Sequence, residues 1–347
     1  MKKVISLLLV VLMVCVSISA FAEGKVGISM PTKDLQRWIQ DGENMQAKFT
    51  EAGYEVDLQY AANDVQQQLN QVTNMINNGC NVLVISAIEG SSLGSALDLA
   101  KEKGIPVIAY DRLLMDSDAV SYYATFDNYK VGVVQGTYVI NALDLDNAEG
   151  PFYFEITGGD PGDNNALFFY NGAMDLLKPY IESGKVIVKS AQVEFADVAT
   201  PTWKTEVAQD RASSILASYY ADGSKIDAWV CSNDSTALGV ENALEDAYEA
   251  DWPIITGQDC DIANTINMIA GKQSMSVFKD TRTLAAQVVK MVGQILNGEE
   301  VDVNDTTTYN NNVITVPSFL CEPVFADATN YETILIESGY YTVDQLQ

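Results

Sequence analysis

Histidine is missing from all 347 residues, which removes Ser-His-Asp and Cys-His nucleophile pairs, imidazole acid–base work and His-ligated zinc. Most hydrolase and metalloenzyme chemistries fall with it. Positive charge is scarce: 20 Lys+Arg stand against 47 Asp+Glu, a formal charge of −27, and a field of that sign repels phosphate backbones and anionic headgroups. Nucleic acid is excluded as a partner. The first strand-like run leads into Ser29-Met30-Pro31-Thr32-Lys33, not into G-x-G-x-x-G, and no P-loop motif occurs anywhere in the chain. No cofactor is expected. With nine prolines, no low-complexity stretch, 48% hydrophobic and 19% charged residues, the chain can bury a large core, and its length favours two domains of about 150 residues each.

The first 22 residues read as an address. Lys2 and Lys3 precede an apolar run from Val4 to Val16, and Ala20-Phe21-Ala22 places small residues where a signal peptidase reads them, so cleavage is expected before Glu23. A membrane helix needs about 20 apolar residues, and this run is shorter and is broken by Ser17 and Ser19. A lipoprotein anchor through Cys15 would want Gly, Ala or Ser before it, where Val14 stands. The mature chain is expected to be exported and soluble. Its four cysteines, Cys80, Cys231, Cys260 and Cys321, are widely spaced, follow no CxxC pattern and read as free buried thiols. A Cys231–Cys260 disulfide remains conceivable in an exported protein.

Short apolar runs of strand length recur at 25–30, 55–60, 81–87, 105–110 and 120–125. Between them lie stretches of helical spacing, such as 34–51 with Leu35, Trp38, Ile39, Met45 and Phe49, and 65–77 with Leu69, Val72, Met75 and Ile76. The alternation restarts with strands at 152–157, 185–190, 226–232 and 253–256, separated by helical stretches near 166–181, 205–220 and 235–250. A third block, 275–278 followed by a helix over 284–296, ends in a polar run at 302–312 with the character of a crossing linker. Strand–helix alternation of this kind predicts an α/β architecture of parallel sheets covered by helices on both faces, here as two lobes. Periodicity does not say whether the lobes exchange strands.

In open α/β sheets ligands bind beyond the carboxyl ends of the strands, and polar residues crowd those positions. Lys33, Arg37 and Trp38 follow the first strand. Asp111 and Arg112 follow 105–110, Gly158 to Asn165 follow 152–157, Asn233 and Asp234 follow 226–231, Gln258 and Asp259 follow 253–256, and Lys279 follows 275–278. The chain has only four arginines, and two of them lie in this set. Asp and Asn oxygens accept from sugar hydroxyls, Arg and Lys donate to hydroxyls and ring oxygens, and an aromatic face covers the apolar side of a pyranose. Trp38 and Trp203 are the candidates for that cover, with a plain core role open for Trp38. Asp234, followed by Ser235 and a helical run, reads as an N-cap. Asp111 and Asp259 would suit a glycosidase pair only if one carboxyl stayed protonated, and the neighbouring cations oppose that.

At these residues the chain closely resembles the periplasmic sugar-binding proteins of ABC importers, in the multiple-monosaccharide-binding and xylose-binding group typified by ChvE and XylF. The resemblance runs through MPTKDLQRWIQDG at 30–42, NVLVISAIEG at 81–90, IPVIAYDRL at 105–113, SYYATFDNYKVG at 121–132, GGDPGDNNALFFYNGAM at 158–174, SNDSTA at 232–237, TGQDCD at 256–261 and FKDTR at 278–282. RWIQDG and DNNALFF look nearer to ChvE. The resemblance implies the type I periplasmic binding protein fold: two Rossmann-like lobes joined by three crossing hinge segments, with the sugar in the cleft. It divides the chain into an N-terminal lobe of 24–126 plus 259–303 and a C-terminal lobe of 127–258 plus 304–347, with hinges near 126–128, 257–259 and 303–310.

The family's sugar-contacting positions fall on Lys33, Arg37, Trp38, Asp111, Arg112, Asp163, Asn165, Trp203, Asn233, Asp259 and Lys279, with Asn165 favoured over Asn164. Cys260 departs from the small residue the family more often has beside Asp259. LacI-type repressors share the fold but carry a DNA-binding helix pair where this chain has its leader. The implied function is capture of an aldose such as xylose, glucose, galactose or arabinose by a monomeric, non-enzymatic periplasmic protein, for delivery to a membrane permease. A sensing role through a chemoreceptor or sensor kinase is the alternative, and an exported glycosidase or sugar oxidoreductase the third reading.

Overall fold

Every residue of strand β1 (Lys25–Met30) after Lys25 is buried, as required of a strand whose sheet is covered by helices on both faces. In the computed structural model, which describes residues 24–347, β1 is followed by α1 (Gln36–Glu51), β2 (Glu55–Tyr60), α2 (Val65–Asn77), β3 (Val82–Ile85), α3 (Gly94–Glu102), β4 (Val107–Tyr110) and β5 (Val120–Phe126). The chain continues through α4 (Asn128–Ala142), β6 (Phe152–Thr157), α5 (Asn164–Glu182), β7 (Val186–Val188), α6 (Phe195–Val198), α7 (Thr205–Tyr219), β8 (Ala228–Cys231), α8 (Asp234–Ala247), β9 (Ile254–Ile255), α9 (Ile262–Ile269) and β10 (Met275–Phe278). It ends with α10 (Thr281–Asn297), β11 (Ser318–Cys321), β12 (Val324–Asp327) and short helical turns. The leader at 1–22 and Cys15 lie outside the described residues.

Two parallel sheets result. The first has the order β11-β5-β4-β3-β1-β2 and the second β7-β6-β8-β9, and the pairings within both are parallel. Strand β10 pairs antiparallel with β12 and continues the second sheet beyond β9 through the Gln258–Val277 bridge, with Val277 N–H donating to the Gly257 carbonyl at 3.0 Å. Each sheet is sandwiched by apolar clusters. Val26, Ile28 and Val84 meet α1 and α10 on one face of the first, while Leu83, Ile85 and Ala109 meet α2 and α3 on the other. Trp229 and Ile255 pack under α7 and α8 in the second lobe, and Phe154 and Val230 under α4 and α5.

Helix α4 was not among the helical stretches singled out above, because it is apolar around much of its circumference and carries little amphipathic contrast. It runs close against α5. A Cβ on Gly132 would lie 1.9 Å from the Phe169 carbonyl oxygen, and one on Gly172 2.1 Å from that of Tyr129. Only glycine permits that approach.

Strand pairing corrects the expected lobe boundaries. Residues 259–278 were assigned to the N-terminal lobe, yet α9 and β10 belong with the second sheet. Residues 304–321 were assigned to the C-terminal lobe, yet β11 pairs with β5 in the first. The polar run 302–312 does not cross either: Asn311 donates to the Leu114 and Ser117 carbonyls at 3.1 and 2.6 Å, which fastens it to the first lobe. The chain therefore crosses at 126–128, then at 279–281, before α10 joins the first core, and at 322–323, between β11 and β12. Apolar periodicity marks a strand but carries no label for the strand it will pair with.

All four described cysteines are buried and free. Among the described residues no helix is long and apolar enough to cross a membrane.

Candidate functional site

Helices that begin just beyond the parallel strands bring their caps to the strands' carboxyl ends. Asp163 caps α5, accepting from the Asn165 N–H at 2.9 Å, and Asn233 caps α8, accepting from the Thr236 N–H at 3.1 Å. The turns after β1, β4, β6, β8, β9 and β10 converge on one cavity between the lobes. Ten of the eleven candidate residues line it: Arg37, Trp38, Asp111, Arg112, Asp163, Asn165, Trp203, Asn233, Asp259 and Lys279. Lys33 does not. It is exposed, with its ammonium 4.7 Å from the centre of the Tyr60 ring. Asn165 rather than Asn164 faces the cavity.

The cavity is charged but internally matched. Arg37, 4% exposed, donates from Nη1 to Asp259 and from Nη2 to Asp111, each at 2.8 Å, while its Nε meets Asp41. Lys279 Nζ stands 3.2 Å from Asp259 and 3.8 Å from Asp111. Arg112 Nε stands 3.0 Å from Asp163, and its guanidinium lies 4.9 Å from the centre of the Trp38 ring. Burial alone would push the Asp111 carboxyl up, but Lys279, Arg37 and Arg112 overcome it and hold the carboxyl below its ordinary value. Asp163 goes the other way, raised by burial against the opposing pull of Arg112. Three atoms on side chains that line the cavity are buried without a hydrogen-bond partner: Gln258 Oε1, Asp261 Oδ1 and Arg112 Nε, the last close to Asp163 but not aligned with it.

Trp203 closes one wall. Its Nε1 donates to Asp163 Oδ2 at 3.2 Å, its ring meets Phe169 edge-on with centroids 6.2 Å apart, and its indole lies against Gly159, where a Cβ would come within 1.9 Å of the ring. The turn that carries it holds Thr202 and Trp203 at φ 56° and 57°. Gly159→Ala is accordingly expected to displace the indole and weaken ligand binding by roughly tenfold, on the scale of a lost aromatic contact, while leaving the second sheet folded. Ligand titration beside far-ultraviolet circular dichroism checks this, and parent-like affinity would show that Trp203 does not wall the cavity.

Asp234 is not the N-cap. Asn233 holds that position, and Asp234, fully buried, accepts from Gln273 and Ser276 at 2.8 Å each and from the Asp261 N–H at 2.8 Å. Burial, with the charge of Asp259 added, holds its pKa at about 8 and pushes neighbouring Asp261 up as well. Leu35, Phe169, Ser235, Gln258 and Asp261 complete the lining. Phe169 was legible in principle, since it stands one helical turn after Asn165 on the same face of α5. Nothing in residue type or spacing marked Leu35, Ser235 or Asp261.

Known proteins resemble the chain along most of its length. Residues 26–300 match the family described as "Periplasmic binding protein domain". The chain is 48% identical over 334 residues to the multiple sugar-binding periplasmic receptor ChvE of Rhizobium radiobacter, covering 94% of each chain. It is 35% identical over 324 residues to the D-xylose-binding periplasmic protein of Escherichia coli, covering 93% of each. Among solved structures, an ABC transporter solute-binding protein from Clostridium phytofermentans with bound β-D-glucose superposes with a TM-score of 0.92 at 66% identity, over 93% of this chain and 100% of that one.

Proposed function

The chain belongs to the periplasmic binding protein family, and from that premise we propose that it captures an aldopyranose between its lobes and delivers it to the membrane permease of an ABC importer. It is a binding protein of the type I fold and performs no reaction on its ligand. The observation that carries the reading is the cavity's charge pattern. Arg37, Arg112 and Lys279 are each already faced by carboxylates, so no cation is left over for a phosphate or an organic acid. What remains unpartnered in the lining is mixed: Gln258 Oε1 accepts, Arg112 Nε donates, and the Asp261 carboxyl, whose pKa burial raises, can do either, while Trp38 and Trp203 supply aromatic faces. A neutral ring whose hydroxyls both donate and accept fits this set. The depressed pKa of Asp111 leaves it ionised and unsuited to glycosidic acid catalysis.

The ten lining residues named above are the proposed sugar contacts, and Lys33 is left outside them. Glucose leads the candidate sugars, because the solved relative at 66% identity holds it. The name of one relative, a periplasmic receptor, favours a second role in which the sugar-loaded form engages a chemoreceptor or sensor kinase. Export through cleavage before Glu23 and a monomeric state complete the proposal.

A panel of monosaccharides tested by thermal shift decides it. A sugar at 100 times its Kd stabilises the folded chain by about 2.7 kcal/mol, a rise of roughly 4 °C in Tm for a chain of this length. One sugar is expected per chain, with affinity nearly independent of salt. No response to any aldose, or tighter binding of a sugar phosphate than of the free sugar, would overturn the reading.

A further inference from the structure

Nearly every wall of the cavity is buried, so a ligand enters only when the lobes part, and whatever holds them together bears on affinity. Some of that hold comes from groups that face the cavity, such as Arg37 with Asp259. A second set lies beside the first crossing segment. Asn165 of the second lobe donates from Nδ2 to the Asp111 carbonyl of the first at 2.6 Å. The Tyr123 hydroxyl, on β5, stands 2.5 Å from that same carbonyl and 2.9 Å from Asn165 Oδ1, with one proton to share between them. Asn128, in the first turn of α4, donates to Asn165 Oδ1 at 3.0 Å. Tyr123, Asn128 and Asn165 are all 1% exposed or less. Next to Asn165's cavity neighbour Phe169, Phe168 turns the other way: it packs against the core of the first lobe, with its ring centre 5.2 Å from that of Tyr309, which in turn meets Tyr123 edge-on at 5.0 Å.

We infer that Tyr123, Asn128 and Phe168 form an interlobe latch that sets the closed population, and with it the residence time of the bound sugar, without touching the sugar. None of the three lines the cavity. Tyr123 and Asn128 act through Asn165, which they orient and whose Oδ1 they occupy. Phe168 adds an apolar foot of one lobe in the core of the other. The latch rests on the sugar-binding reading for its ligand, but not for its geometry.

Tyr123→Phe keeps the ring and removes only the hydroxyl, and Phe168→Ala removes the foot from a half-buried position where folding of either sheet is not at stake. Each is expected to raise the release rate about 5- to 10-fold, the scale of one net hydrogen bond or apolar contact, while the association rate stays within about twofold of the parent. Stopped-flow measurement with the best sugar of the panel reads both rates. Spin labels at exposed Glu102 and Lys178, one in each lobe, read the interlobe distance with and without sugar, and both variants should lose short distances relative to the parent. Parent-like release and distances in both variants would overturn the latch, as would an affinity loss carried by the association rate alone with distances unchanged. A parent protein that binds no sugar would overturn the ligand reading instead, and the label distances would then decide the latch by themselves.

Discussion

Replacing Arg37 with methionine is expected to destabilise the protein by about 3–5 kcal/mol and to abolish measurable sugar binding. The magnitude is that of breaking a buried ion pair from one side, where the stranded partner is itself a charge out of water. Here three partners are stranded. Asp41, Asp111 and Asp259 each hold one nitrogen of the guanidinium; Lys279 remains near Asp111 and Asp259 and Arg112 still acts on Asp111, but Asp41 keeps no cation. Asp41 and Asp111 belong to the first lobe and Asp259 to the second, so the same residue that neutralises the cluster also joins the lobes.

The pH dependence separates this account from simple loss of packing. Burial already raises Asp41 to about 6 against the pull of Arg37, and removing the guanidinium raises it further, while Lys279 and Arg112 still act on Asp111. The folded variant then takes up protons that the unfolded chain does not bind, so its deficit relative to the parent shrinks as pH falls from 8 towards 5. Arg37→Lys should lie between, because a single ammonium cannot meet three carboxylates in the plane of a fork. Urea unfolding at the two pH values measures it. An Arg37→Met deficit that is small, or equal at both, would mean that the carboxylates find other partners.

Arg37 also shows how far residue type and spacing carry. A scarce cation placed just past the end of an apolar strand was enough to nominate it, and the same rule found Asp111, Arg112 and Lys279, because a parallel sheet delivers all its carboxyl ends to one edge. The rule failed where position along the chain and position in the sheet diverge. Lys33 follows the same strand as Arg37, yet it precedes the first turn of α1 and points to Tyr60 at the surface. Asn233 and Asp234 are adjacent and both polar, and only the backbone geometry decides that the first caps the helix while the second is buried among Gln273, Ser276 and the Asp261 amide. The lobe boundaries implied by the resemblance differ from the strand pairing, and residue pattern offered nothing to correct them with. The strand at 275–278 was legible, but its neighbours, β12 from the far end of the chain and the bridge at Gln258, are set by long-range pairing that no local pattern encodes.

The second large effect is expected at Asp259 and Trp203, where the two kinds of contact can be told apart by paired variants. Asp259→Ala should weaken sugar binding by roughly 5- to 150-fold, since it leaves Arg37 Nη1 and Lys279 facing each other without their shared carboxylate and removes acceptors from the cavity, at about 1–3 kcal/mol per unsatisfied buried group. Asp259→Asn should recover only part of this: its amide presents a donor where two cations already donate. Trp203→Ala should also weaken binding, by removing the aromatic wall, and Trp203→Phe should recover most of the loss because an aromatic face of either kind covers apolar C–H groups. The recovery should stop short of complete, since phenylalanine cannot replace the indole N–H that donates to Asp163 Oδ2, and that oxygen is then left facing Arg112 without it. Titrating the four variants with the best sugar of the panel gives the contrast. If Trp203→Phe binds no better than Trp203→Ala, the indole acts through its hydrogen bond and not its face. If Asp259→Ala binds like the parent, the carboxylate serves only to join the lobes, and the sugar's hydroxyls are met elsewhere in the cavity.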